Sequence, residues 1–179
     1  MANVKVINPD ITVLEYNQEK TDKDYGSCLW AKFYFDTTNC KLLITSDCGN
    51  YAYGWCSDTK PFLSFLASIS KGYLLSKIAK QSEVDCDATY LAVKEYIGDD
   101  TDVNDDEDEL LYVCHCSKNK VEVYKSLEDY FYGEMLDFET ESLNDCIICS
   151  YPTWAKRIAD IFVKYIQPII KSYDRTEEK

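Results

Sequence analysis

Three β-rich runs joined by short turns, all within residues 29–55, constrain the fold of this chain more than any other feature of its sequence. A period of two runs through residues 29–36, and residues 41–47 and 51–55 continue the β-type composition. The second connection contains Gly49, and glycine readily takes the positive φ that a tight hairpin needs. These runs predict an antiparallel meander of at least three strands.

A helical period replaces the β pattern after residue 58. Apolar residues at helical spacing over 60–80, interrupted at Gly72, predict two short helices or one bent helix. Residues 87–97 predict another, and residues 153–173 predict a last helix in which Pro168 should cause a kink. The positions predicted to face inward are Leu91, Ala92, Tyr96, Phe65, Trp154, Ile158, Ile161, Phe162, Tyr165 and Ile169.

Two segments leave alternatives open. Residues 4–17 hold two shorter β-type runs around an Asn-Pro-Asp turn signal, and one or both could be strands. Residues 110–123 admit a helical turn followed by a strand, or two strands. Ser126 opens a capping pattern with an acidic residue three positions later, so a helix is expected to follow it.

We therefore predict an α+β fold in which an antiparallel β meander of three or more strands packs against several α-helices. The chain has 179 residues, of which 46% are hydrophobic, and this is enough for one core. Because no long linker interrupts the pattern, we expect a single domain over residues 1–179. It would carry an acidic loop at 98–109 and a C-terminal helix at about 153–173.

The acidic loop, residues 98–109, holds eight of the 32 acidic side chains and no basic one, in a chain of net charge −13. Such a charge disfavours nucleic acid and anionic membranes and favours partners with positive clefts. A solvated loop without a binding role and a strip that competes for a basic nucleic-acid channel both fit this composition. The candidate partner-binding carboxylates are Asp99, Asp100, Asp102, Asp105, Asp106, Glu107, Asp108 and Glu109.

Nine cysteines, an odd number, follow an N-terminus without an apolar signal core, which predicts reduced thiols in a cytoplasmic protein. Four of them make a candidate zinc set of two close pairs. The spacing is poor, because one pair is Cys-x-Cys and the other encloses two isoleucines, so buried thiols without metal or cofactor are the favoured interpretation. The four are Cys114, Cys116, Cys146 and Cys149.

The single histidine, His115, would have to serve any Cys–His dyad or Ser–His–Asp triad, and nothing in the sequence places a nucleophile beside it. Between two cysteines in an apolar run, it is expected to be a core side chain. No phosphate-binding glycine loop, dinucleotide fingerprint or HExxH motif is present. The sequence therefore favours a binding protein over an enzyme.

One region resembles a known group of proteins. The run LITSDCGNYAYGW at residues 43–55 is followed by Phe-Leu and Tyr-Leu-Leu helical pairs at 62–66 and 73–75. This arrangement, over roughly residues 29–80, resembles small phage- and prophage-encoded proteins. That group is similar to some anti-CRISPR inhibitors of Cas9-type (type II-A) effectors, so the resemblance implies a phage protein that acts in the host bacterial cytosol.

Together with the acidic loop, the resemblance implies an inhibitor that binds a Cas9-type nuclease or its guide-RNA complex. Its carboxylates would occupy a basic nucleic-acid-binding region, and Tyr51 and Tyr53 would add contacts. Two alternatives remain open. An enzyme, or a factor that provokes cleavage, acting on guide RNA would use the basic residues Arg157, Lys164 and Lys171, which are seven apart. A phage accessory protein would bind another host target.

Overall fold

The computed structural model describes residues 10–23, 25–56, 61–98, 107–134 and 138–174. The chain forms two compact units, each with its own elements. The sheet unit comprises Met1–Lys80 with Thr153–Lys179, and the helical unit comprises Gln81–Pro152. The chain thus leaves the sheet unit and later returns to it. The expectation of one domain over residues 1–179 stays a prediction.

The predicted meander is confirmed and has four strands. The order is β1-β2-β3-β4, and each strand pairs antiparallel with the next along the chain. Of the two runs in residues 4–17, the second forms β1; the first lies outside the described residues. Gly49 has φ +106° in the last connection, as the hairpin required. The strands are β1 Ile11–Asn17, β2 Trp30–Asp36, β3 Lys41–Ser46 and β4 Tyr51–Gly54.

One face of this sheet is buried and the other is open. Ala31, Phe33 and Phe35 alternate inward on β2, and Leu42 and Ile44 do so on β3, all with at most 1% exposure. The opposite face carries exposed residues, including an ion pair between strands β1 and β2. Because only one face is buried, apolar and exposed residues alternate along a strand, and this alternation is the period of two seen in the sequence.

Two short helices, α1 Phe62–Ser68 and α2 Lys71–Ile78, follow the sheet. The break lies at residues 69–70 rather than at the predicted Gly72, which sits inside the first turn of α2. The cause is a local cap, because the Ser70 side chain accepts a hydrogen bond from the Tyr73 N–H at 3.1 Å.

The last helix runs as α7 Thr153–Ile161, a π-helical turn at Phe162–Ile166, and α8 Gln167–Asp174. The Gln167 N–H bonds the Phe162 carbonyl, five residues back. The wider turn shifts the buried stripe by one position. Ile166 and Ile170 are therefore buried where Tyr165 and Ile169 were predicted.

Phe162 packs against Phe33 of the sheet, with ring centroids 5.9 Å apart, and is fully buried. The prediction for Trp154 is wrong, since this side chain is 52% exposed at the first turn of α7. Phe65 is only half-buried, although its ring contacts Trp55 at 5.9 Å. In the first turn the helix therefore docks through Ala155, which is fully buried, and not through Trp154.

Gln167 ties the last helix to the end of α1. Its buried amide Nε2 donates to the carbonyls of Leu66 at 3.0 Å and Ile69 at 2.8 Å. Carbonyls at a helix C-terminus lack partners within their own helix, so this one side chain satisfies a buried acceptor and a partly buried one.

The helical unit contains a two-stranded ladder of β5 Glu83–Val84 with β6 Cys149–Ser150. Its core is apolar and includes Val93, Leu127, Phe131 and Leu143. No described helix of either unit is both long and apolar enough to cross a membrane. The helices of this unit are α3 Cys86–Ile97, α4 Glu107–His115, α5 Lys120–Gly133 and α6 Thr140–Cys146.

Three expectations fail in this unit. Residues 110–123 form the end of α4 and the start of α5, not strands, because Asn119 caps α5 by accepting from the Val121 N–H at 2.9 Å. Ser126 lies inside α5 and caps nothing. In α3 the inward stripe includes Val93, whereas Leu91, predicted inward, is 64% exposed.

We predict that Phe162→Ala lowers the free energy of unfolding by about 3–5 kcal/mol, because it removes a fully buried ring and leaves a cavity. The matched change Trp154→Ala, in the same helix, should cost under about 1 kcal/mol. Urea titration followed by circular dichroism measures both. Equal losses in the two variants would show that the helix docks differently.

We predict that Gln167→Met, of nearly equal volume, destabilises the protein by about 2–4 kcal/mol, because the buried Leu66 carbonyl and the partly buried Ile69 carbonyl lose their donor. Gln167→Glu should be at least as harmful, since a carboxylate beside two carbonyls has no proton to give. A thermal melt of both variants tests this. A methionine variant as stable as the wild type would contradict it.

Candidate functional site

The two helices α4 and α5 pack against each other through buried side chains and form a hairpin joined at residues 116–119. We call residues 107–134 the acidic hairpin. Leu110 and Cys114 of α4 lie in the same core cluster as Val123 and Leu127 of α5. This amphipathic spacing leaves the charged positions of both helices facing solvent.

A cavity of about 290 Å³ opens on the acidic hairpin. Three of its lining residues, Glu109, Asp129 and Glu134, are exposed carboxylates, and none is basic. Val113 and Tyr130 supply apolar surface beside them. Three carboxylates around one opening favour a cation, and the apolar lining suits the stem of a lysine or arginine side chain. We call this the acidic cavity.

The predicted carboxylate strip is only partly within the described structure. Glu107, Asp108 and Glu109 begin α4 and so belong to a helix rather than to the predicted loop; Asp108 and Glu109 are exposed. Of the predicted set, Glu109 lines the acidic cavity. The other five lie outside the described residues: Asp99, Asp100, Asp102, Asp105 and Asp106.

Sequence reasoning missed Asp129 and Glu134, which complete the acidic cavity. They are 20 and 25 residues from Glu109 in the chain. Only a hairpin of two helices brings them to one opening, and residues 110–123 were not predicted as such. Asn119, a strong N-cap residue directly before a helical period, was the signal that could have revealed it.

Charge is divided unequally between the units. The helical unit, Gln81–Pro152, holds 20 acidic and four basic side chains, a net charge of −16. The remainder of the chain holds 12 acidic and 15 basic side chains, a net charge of +3. The acidity of the protein is therefore a property of one unit, and the acidic cavity lies in that unit.

Tyr51 and Tyr53 belong to the sheet unit and are both half-buried. The Tyr51 hydroxyl donates to the Cys48 carbonyl at 2.8 Å, which braces the turn before β4. The Tyr53 ring lies 4.7 Å from that of Trp55, with the Lys77 ammonium 5.5 Å above it. Both side chains thus have structural contacts, and their role in partner binding stays a prediction.

A second cluster of reactive groups lies in the sheet unit, where Cys28, Asp47 and Cys48 meet. The Cys28 thiol lies 3.3 Å from an Asp47 carboxylate oxygen, and the Cys48 thiol lies 3.8 Å from the same oxygen. The Asp47 carboxylate accepts backbone N–H bonds from Leu29 at 2.8 Å and Trp30 at 3.4 Å. We call these three residues the thiol–carboxylate cluster.

The surroundings of the cluster raise the pKa values of its two thiols and lower the pKa of its carboxylate. Burial, reinforced by hydrogen bonds with Cys48 and Asp47, raises the pKa of the Cys28 thiol. Burial also raises the pKa of Cys48, against the opposing effects of a hydrogen bond with Cys28 and the charge of Arg157. Partial burial alone would raise the pKa of Asp47, but hydrogen bonds from Leu29, Cys28 and Trp30 lower it.

A phage family matches the chain over residues 5–172, which spans both units. The chain belongs to this phage family. No curated protein matches it, and no solved structure does. The phage origin implied by the resemblance at residues 29–80 is thus confirmed, whereas its anti-CRISPR part stays a prediction.

The basic residues predicted to share a face of this phage protein differ in environment. Lys164 and Lys171 are exposed, but Arg157 is half-buried and acts electrostatically on Cys48. The π-helical turn at residues 162–166 lies between Arg157 and Lys171 and breaks the seven-residue spacing.

The four cysteines of the candidate zinc set do not share one environment. Cys114 and Cys146 belong to the apolar core of the helical unit, Cys116 is exposed, and Cys149 is half-buried in β6. Among the described residues, the group that could share a metal ion is instead the thiol–carboxylate cluster. His115 is exposed and not a core residue, with its Nε2 3.1 Å from an Asp87 oxygen.

We predict that Cys116 reacts with iodoacetamide at pH 8 in the folded phage protein while Cys114 does not. The two are two residues apart, but burial raises the pKa of the Cys114 thiol to about 12 and Cys116 is exposed. Peptide mass spectrometry after timed labelling measures both rates, and unfolding in urea should equalise them. Equal labelling of the folded protein would contradict the burial of Cys114.

Proposed function

We propose that this phage protein acts by binding a basic nucleic-acid-binding protein of its host and excluding nucleic acid from it. The concentration of a net charge of −16 in the helical unit carries the proposal. A Cas9-type nuclease or its guide-RNA complex is the partner that the resemblance of residues 29–80 implies, and its inhibition is the proposed outcome.

Electrostatics supplies the reason for such a partner. Proteins that hold nucleic acid line their channels with lysine and arginine, and guided nucleases hold their heteroduplex in such a channel. An acidic unit is attracted to these surfaces and competes with phosphate there. The nearly neutral sheet unit, with a net charge of +3, offers no comparable attraction.

The acidic cavity offers a specific contact within that general attraction. An arginine or lysine of the partner would lay its stem on Val113 and Tyr130 and place its cationic head among the three carboxylates. A guanidinium can bond a carboxylate through two parallel hydrogen bonds, so arginine suits this site better. The cavity therefore fixes orientation, while the surrounding charge speeds the encounter.

Exposed tyrosines lie on the same two helices. Tyr112 of α4 is 74% exposed and Tyr132 of α5 is 68% exposed. Tyrosine buries a large area on binding at a small entropic cost, and it is enriched at the centres of protein interfaces. With the exposed apolar side chains of Leu111 and Val121 on the same helices, they support a protein partner rather than a purely solvated face.

The proposal is tested with a partner captured from host lysate after nuclease treatment, or with a purified Cas9-type complex. The triple variant Glu109→Gln, Asp129→Asn, Glu134→Gln removes the carboxylates of the acidic cavity. The matched control Asp10→Asn, Glu15→Gln, Glu19→Gln changes the net charge equally at exposed positions of the sheet unit.

We predict that the cavity variant associates about tenfold more slowly and with a flatter salt dependence, while the control stays within about twofold of the wild type. Surface plasmon resonance at two salt concentrations measures both. Neutralising all eight carboxylates of residues 99–109 tests the predicted strip in the same way. Equal rates for the cavity variant and its control would exclude the acidic cavity as the contact.

A further inference from the structure

Two thiols and one carboxylate converge at the point where the chain enters β2 and turns from β3 towards β4. These are the members of the thiol–carboxylate cluster, and their ligand atoms all lie within 4.8 Å of one another. Cys28 and Cys48 are 1% and 4% exposed, while Asp47 reaches solvent. The site lies in the sheet unit and is independent of the function proposed for the helical unit.

The separations suit a tetrahedral metal ion. Metal–sulfur bonds of about 2.3 Å and a metal–oxygen bond of about 2.0 Å place a sulfur and an oxygen ligand about 3.5 Å apart. The two sulfur–oxygen distances in the cluster, 3.3 and 3.8 Å, lie on either side of that value. Each sulfur–oxygen distance therefore differs from the tetrahedral value by only a few tenths of an ångström.

The ligands are held by hydrogen bonds in a second layer. Asp47 is fixed by the N–H groups of Leu29 and Trp30. The turn that carries Cys48 is braced by Ser46, whose hydroxyl donates to the Gly49 carbonyl at 2.7 Å and accepts from the Cys48 N–H at 3.1 Å. Partners of this kind orient ligands before the metal arrives and so raise affinity.

The donor set selects the class of ion. Two sulfurs favour a soft or borderline cation such as Zn²⁺ and disfavour Mg²⁺ and Ca²⁺, which take oxygen ligands. Two thiolates and a carboxylate around a divalent ion leave one negative charge, and the positive charge of Arg157 acts on this site. The charges of ion, ligands and arginine then balance.

We propose that Cys28, Asp47 and Cys48 form a binding site for one Zn²⁺ ion, with a water molecule as the fourth ligand on the side where Asp47 meets solvent. The thiols bind as thiolates, and their two protons pass to the solvent. The ion would clamp the entry of β2 to the turn between β3 and β4. Open three-ligand sites keep a position for a further ligand, so this one is not closed in the manner of a zinc finger.

The experiment uses the full-length protein, purified under reducing conditions, stripped with chelator and titrated with Co²⁺ and Zn²⁺. Thiolate-to-cobalt charge-transfer absorption should rise until one equivalent is bound, and Zn²⁺ should displace Co²⁺ and raise the melting temperature. The double variant Cys28→Ser, Cys48→Ser should abolish the absorption. The control Cys56→Ser, Cys116→Ser removes two exposed thiols and should leave it intact.

Asp47→Asn keeps both thiols and is expected to weaken Zn²⁺ binding about 10- to 100-fold, which tests the carboxylate even if the double variant folds poorly. Three results would overturn the proposal: no cobalt–thiolate absorption in the wild type, absorption lost equally in the Cys56/Cys116 control, or a mass two hydrogens lower with Cys28 and Cys48 in one cross-linked peptide. The last would identify the pair as a disulfide.

Discussion

The packing of Phe162 on the sheet is the interaction on which the sheet unit depends. The chain leaves this unit after residue 80 and returns at residue 153, so the last helix completes the cover of a sheet that was formed much earlier in the chain. The π-helical turn sets which residues face the core after Phe162, because Ile166 and Ile170 are buried beyond it. Gln167 then ties α8 to the end of α1. Helices from the C-terminal end of the chain therefore pack on a sheet formed by its N-terminal part.

The two units of the chain differ in their net charge and in the reactive side chains that they hold. The sheet unit has little net charge and holds the thiol–carboxylate cluster, in which backbone N–H groups stabilise the Asp47 carboxylate. The helical unit concentrates the negative charge on its surface, and the side chains of its core cluster are mainly apolar. Like charge at this density destabilises the compact state through self-repulsion, and the buried apolar core of the unit offsets that cost.

The strands and the short helices were predictable because each buries one face. Apolar residues in 29–78 therefore recur with a period of two in the strands and of 3.6 in the helices. The last helix was predicted, but the buried positions in its second half were not, because the sequence pattern does not indicate a π-helical turn. The acidic cavity was predictable only at Glu109. The α4–α5 hairpin brings Asp129 to the acidic cavity, and strand pairing brings Cys28 to Asp47. Both sites therefore combine residues about 20 positions apart in the sequence, which local patterns do not connect.

In the proposed complex, carboxylates of the helical unit contact basic residues of the partner at its nucleic-acid site. Zero-length carboxyl-to-amine cross-linking of the captured complex, followed by mass spectrometry, tests it most directly. We expect cross-links from Glu109, Asp129 or Glu134 to partner lysines that otherwise contact nucleic acid, and we expect these cross-links to be lost when nucleic acid is added in excess. Cross-links confined to the sheet unit, or unaffected by nucleic acid, would contradict it.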